Sequence, residues 1–200
     1  MQHELQLLQS IEKNLTEDAV YIKKSATRYG LTQKNINRFF DDTPIPDDSL
    51  AYISTRMAGH AAFIPNTSAF SLGINSGKLD LIRDKDLLEA IQRFYSFDYS
   101  SLDGIHNTLD EVSKSLVQLS KKYDVFELRR NSMAADYYDA DYVLPWNMEN
   151  LKKRNQSPEI RSTLVMFHAN VDYTIMLYDQ ILNKNKLLVK RINDYIDSNY

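Results

Sequence analysis

Residues 84–126 read DKDLLEAIQRFYSFDYSSLDGIHNTLDEVSKSLVQLSKKYDVF. The apolar positions Leu88, Ile91, Tyr95, Leu102, Ile105, Leu109, Val112, Leu116, Leu119, Tyr123 and Phe126 step by three and four, with one polar lapse at Asp98. That is heptad spacing, the pattern of a helix whose apolar seam lies along another helix. At ~1.5 Å per residue such a helix would be roughly 60 Å long. A lone helix cannot bury this seam, so the rest of the chain is expected to supply its partners.

Two matching stretches do so. Leu8, Ile11, Leu15, Ala19, Ile22, Ala26 and Tyr29 repeat the spacing near the start, with Glu12, Lys13, Glu17, Lys23 and Lys24 opposite. Ile160, Leu164, Phe167, Val171, Ile175, Tyr178, Leu182, Val189, Ile192 and Ile196 repeat it near the end, with a polar lapse at Asn185. Ser157-Pro158-Glu159 is a strong start for this last helix: a cap, then proline, then an acid. The Asp41 to Asp48 stretch, with two prolines close together, stops the first helix. Short helices are expected at about 49–58 and 67–76, the second capped by Asn66 or Thr67 and closed by Gly77 in a left-handed turn. Asp84 is expected to cap the central helix, and Gly104 within it marks a close contact or a mild kink.

The expected fold is therefore all-α. It is an elongated antiparallel helical bundle of three long helices, at about 2–40, 84–126 and 158–197, in one domain spanning 1–200. Residues 127–157 form a long crossover, a length more often functional than idle.

Composition excludes several classes. An apolar share of 43% supports a real core and argues against disorder. A net charge of -3 with mixed signs gives no general reason to expect nucleic acid or an anionic membrane surface as partner. Without Cys there are no disulfides, no thiol catalysis and no Cys-ligated zinc. No run approaches 18 apolar residues, and no secretory signal precedes the first helix.

Residues 63–95 carry a resemblance. Phe63-Ile64-Pro65-Asn66-Thr67-Ser68-Ala69-Phe70, then Leu72, Ser76-Gly77, Leu79, Leu81-Ile82, Asp84, Leu87, Ile91 and Tyr95, resemble the central motif of an uncharacterised bacterial family. Its members have one N-terminal transmembrane helix followed by a helical soluble region, which begins with a segment similar to Leu8 to Lys23. The membrane helix is absent from this sequence. The resemblance implies either the soluble part of a membrane-anchored protein, lying outside the cytoplasm, or a soluble relative of the family. The family has no known activity, so the resemblance supplies no catalytic residue.

Chemistry-bearing residues are sparse. His3, His60, His106 and His168 are scattered and form no H-x-x-x-H pair, so no metal site or cofactor is expected. Asp136, Asp139 and Asp141 with Tyr137, Tyr138 and Tyr142 make an acidic, aromatic patch on the crossover. The patch lacks the Gly and Glu of a calcium loop. Tyr137, Tyr138, Asp139, Asp141, Tyr142 and Trp146 are the candidate binding residues, since interfaces favour exposed Tyr and Trp. The alternative reading of that patch is a solvated acidic loop. Asp98 and Asn185 either pair across helices, line a small polar site, fix register, or are simply rotated toward water.

No nucleophile motif, phosphate loop or dinucleotide fingerprint occurs. The leading expectation is a non-catalytic interaction, scaffold or sensor module acting on a protein partner or on a second copy of itself. One alternative is an enzyme performing metal-assisted hydrolysis with His60 or His168 and nearby Asp. Another is a small-molecule sensor with a cavity near Asp98.

Overall fold

The computed structural model describes residues 2–41, 44–57, 62–125 and 146–200. The fold is all-α, and no strand forms among these residues. In chain order the α-helices are α1 (Gln2–Asn37), α2 (Asp47–Met57), α3 (Ser68–Asn75), α4 (Lys85–Arg93), α5 (Ser101–Lys122), α6 (Met148–Asn155) and α7 (Pro158–Asn199). A 3-10 turn, Lys78–Leu81, precedes α4, and a π-helical segment, Phe94–Asp98, follows it.

The caps follow sequence chemistry. Asp84 accepts a hydrogen bond from Leu87 N–H at 2.9 Å, Asn147 accepts from Asn150 N–H at 3.0 Å, and Ser157 Oγ accepts from Ile160 N–H at 3.3 Å. Each satisfies one of the N–H groups that a helix start leaves without a partner. Gly77 adopts φ +66°, the left-handed conformation that glycine tolerates without steric penalty.

The central helix departs from the sequence expectation. It is not continuous over 84–126 but is broken between Arg93 and Ser101. Tyr99 N–H reaches the carbonyl of Phe94 at 3.0 Å, five residues back, so one extra residue is accommodated in the turn. The widened turn brings both members of two adjacent pairs, Phe94 with Tyr95 and Asp98 with Tyr99, into the interior. Gly104 is not the cause. A Cβ built there meets nothing within 4 Å.

The chain forms two compact units. Unit 1 comprises residues 1–28, 62–106 and 174–200. Its core is built from Leu8, Ile11, Leu15 and Ile22 of α1, Leu87 and Ile91 of α4, and Tyr178, Ile181 and Ile192 of α7. Phe63, Phe70, Leu79 and Ile82 of the 63–95 motif are buried in it as well. Gly73 permits close packing here, because a Cβ would lie 3.1 Å from Leu79 and 3.3 Å from Leu7. Unit 2 comprises residues 29–61 and 107–173. There Ile36, Ile53, Met57, Leu109, Ile160, Leu164, Phe167 and Val171 are buried, and Leu50, Val125, Trp146 and Leu151 form one cluster.

Candidate functional site

The residues around the 63–95 motif form a polar cluster in unit 1. Asp18, on the buried seam of α1, is 2% exposed. Asn66 N–H lies 3.1 Å from each of its carboxylate oxygens, and the Tyr99 hydroxyl donates to Oδ2 at 2.8 Å. The Asn66 amide donates to Asn14 Oδ1 at 3.2 Å, and Asn14 donates to Ser68 Oγ at 3.1 Å. Asn66 Oδ1 accepts from Ser68 N–H and, at 2.7 Å, from its hydroxyl, and so fixes the entry to α3. Burial raises the Asp18 carboxyl above the usual aspartate range, while the Tyr99 and Asn66 hydrogen bonds pull the other way. Burial, then the Asp18 charge, raises the Tyr99 and Tyr95 hydroxyls.

Aromatic rings surround this cluster. Phe70 stacks on Tyr95 with centroids 4.5 Å apart, and Tyr99 meets Phe94 and Phe63 edge-on at 4.6 and 5.8 Å. The Tyr178 hydroxyl accepts from Phe63 N–H at 3.2 Å and lies 2.9 Å from His106 Nε2. The motif thus ties the 62–67 segment to α1 and α7 by polar bonds, and Tyr95 of the π segment with Tyr99 just after it packs against it.

A second carboxylate, Glu4, is equally buried. Burial would raise it, but four donors outweigh burial and hold it down at about 2. They are the Arg83 backbone N–H at 3.0 Å, the Tyr200 and Tyr195 hydroxyls at 2.7 Å each, and the Arg83 guanidinium at 3.0 Å.

Asp98 and Asn185, the polar lapses of the sequence, are both buried. Asn185 donates to the carbonyl of Leu15 at 2.9 Å, a cross-helix bond of the register-fixing kind. Asp98 pairs with Lys184 at the floor of a groove of about 290 Å³.

Unit 2 holds a buried cation. Arg154 is 3% exposed and donates to Ser120 Oγ at 2.7 Å, to Asn155 Oδ1 at 2.7 Å and to Ser54 Oγ at 3.4 Å. Its guanidinium lies 5.6 Å from the centre of the Trp146 ring. Burial lowers its pKa to about 10. On α7, Val165, Met166 and Tyr173 are 54%, 56% and 51% exposed, and Ala169 between them is exposed too. Steps of three and four put these four residues along one side of the helix, away from buried Leu164, Phe167 and Val171.

Of the sequence-derived binding residues, Tyr137, Tyr138, Asp139, Asp141 and Tyr142 lie outside the described residues. Trp146 is buried rather than exposed, and its indole N–H donates to Thr55 Oγ1 at 2.9 Å. His60 is also outside the described residues. His168 Nδ1 sits 3.0 Å from Asp172 one helical turn on. Among the described residues, no three His, Asp or Glu converge as metal ligands, and no helix is long and apolar enough to cross a membrane.

Glu4 and Asp18 were not singled out by sequence. A signal did exist for the two acids. The seam 8, 11, 15, 22, extended at the same spacing, passes through positions 4 and 18. The all-α class is the description the fold supports. No protein-family model, curated protein or solved structure matches the chain.

Proposed function

We propose that this chain is a non-catalytic helical interaction module, and that the exposed apolar row of α7 in unit 2 is its contact surface. The observation that carries this reading is the row itself. Val165, Met166, Ala169 and Tyr173 leave apolar surface on a helix whose opposite side is already buried. Contiguous exposed apolar surface with an aromatic anchor is typical of protein-binding patches. The partner is another protein or a second copy of this chain.

The same reading takes the three long helical stretches as an antiparallel bundle. In unit 1, early α1 bonds late α7, through Asn185 to Leu15 and through Tyr195 to Glu4. In unit 2, Gln33 of α1 bonds Asp172 of α7. These pairings are those of helices running in opposite directions. The resemblance of residues 63–95 supports placing the module on a membrane-anchored bacterial protein, outside the cytoplasm. An in-frame segment of ~20 apolar residues upstream of the Gln2 codon would support that placement.

A photo-crosslinking residue at the exposed position 169 tests the contact surface. Crosslinks to one defined protein species are expected, and they should disappear in a Met166→Glu, Tyr173→Glu double variant. Labelling that persists in the double variant, or no labelling at 169, contradicts the reading.

A further inference from the structure

The groove of unit 1 at Asp98 is a different surface with a different chemistry. It lies between the α4–π stretch and the 184–191 turns of α7. Its apolar lining is Phe94 and Leu188, both buried, with Ala90 beside them and Leu187, which is 69% exposed. Arg93, Lys184 and Arg191 also line it.

The charge here runs against the chain as a whole, which carries -3. Three cations line the groove against one carboxylate, Asp98, which is itself paired with Lys184. Arg191 reaches Asp84 only at 3.9 Å, too far for a hydrogen bond. Arg93 makes no hydrogen bond or ion pair among the described residues. Two guanidinium groups thus face an apolar pocket with little internal compensation. Guanidinium groups present paired N–H donors matched to phosphate and carboxylate oxygens. The volume is near the lower end of small-molecule sites, enough for a headgroup and a short chain.

We propose that this groove binds a monomeric anionic amphiphile. Its phosphate or carboxylate head would be held by Arg93 and Arg191, and its short apolar chain would lie on Phe94, Leu187 and Leu188. A bilayer is the less suitable source. The groove is concave and small, which suits a single amphiphile better than an extended membrane surface.

Isothermal titration of octyl phosphate, kept below its micelle concentration, into the full chain tests this. Inorganic phosphate and vesicles of anionic phospholipid serve as separate arms. Saturable one-to-one binding of octyl phosphate is expected, with inorganic phosphate at least 10-fold weaker. An Arg93→Gln, Arg191→Gln variant should lose at least 10-fold, and Leu187→Ser about 3-fold, with the helical circular dichroism of both unchanged. These side chains are exposed, so the variants should fold. The proposal is overturned if octyl phosphate fails to saturate, if the double variant binds it equally well, or if inorganic phosphate matches it. Binding to vesicles without binding of the free amphiphile overturns it too. None of these results bears on the α7 contact surface of unit 2, which stands or falls on its own crosslinks.

Discussion

Glu4 and Asp18 sit on the same seam of the same helix, each 2% exposed, yet their acidities move in opposite directions. Burial pushes both upward, since removing a carboxylate from water disfavours its charge, and Asp18 is the more deeply enclosed of the two. The donors differ as well. Glu4 receives two tyrosine hydroxyls, a backbone N–H and a guanidinium. Asp18 receives one hydroxyl and one N–H shared between its oxygens and, among the described residues, no cation. A buried carboxylate in this fold is therefore a fixed charge or a readily protonated group according to what its neighbours donate.

The pH dependence follows with opposite signs. Glu4 has a folded pKa near 2, below its unfolded value. Its contribution to stability is present above about pH 4.5 and is lost as pH falls toward 2. Asp18 has a raised folded pKa. Its contribution is fullest below its unfolded value near 4 and is lost as pH rises through the folded one.

The comparison can be broken at either acid. The largest effect is expected from Glu4→Ala, which leaves the Arg83 N–H and two tyrosine hydroxyls without their acceptor. Urea denaturation at pH 7 should register a loss of about 3 kcal/mol, shrinking as pH approaches 2. A loss that stays constant down to pH 2 would mean Glu4 is not held ionised. Tyr99→Phe is expected to cost about 1–2 kcal/mol at pH 7. Because the Tyr99 hydrogen bond favours the ionised Asp18, this loss should diminish as pH falls, and the Asp18 pKa should rise further. A loss independent of pH would mean that the hydroxyl contributes packing and no bond to Asp18.

Much of the fold could be read from periodicity and caps. The starts at Ser157-Pro158 and Asp84, the turn at Gly77 and the two short helices are local signals, and local chemistry decides them. The π segment could not be read. Leu88, Ile91, Tyr95 and Leu102 keep heptad spacing across it, so a period count registers only a lapse at Asp98. Around the widened turn Tyr99 meets Phe63 and Tyr95 stacks on Phe70, rings distant in sequence that no local pattern announces. Similarly, Ala19 drew the α1 seam away from Asp18. Spacing marks a polar residue on a seam, as at Asp98 and Asn185, but no spacing rule supplies its partner on another helix. Trp146 shows the reverse error. Its composition suits an interface, but Thr55 and Arg154 hold it inside.

A carbon-detected NMR titration of the Glu4 and Asp18 side-chain carboxyls addresses this contrast most directly. Glu4 should titrate near pH 2, and Asp18 above the ordinary aspartate value near 3.9. If both midpoints shift in the same direction, the donors do not set the charge state of these buried acids, and the contrast between the two sites is wrong.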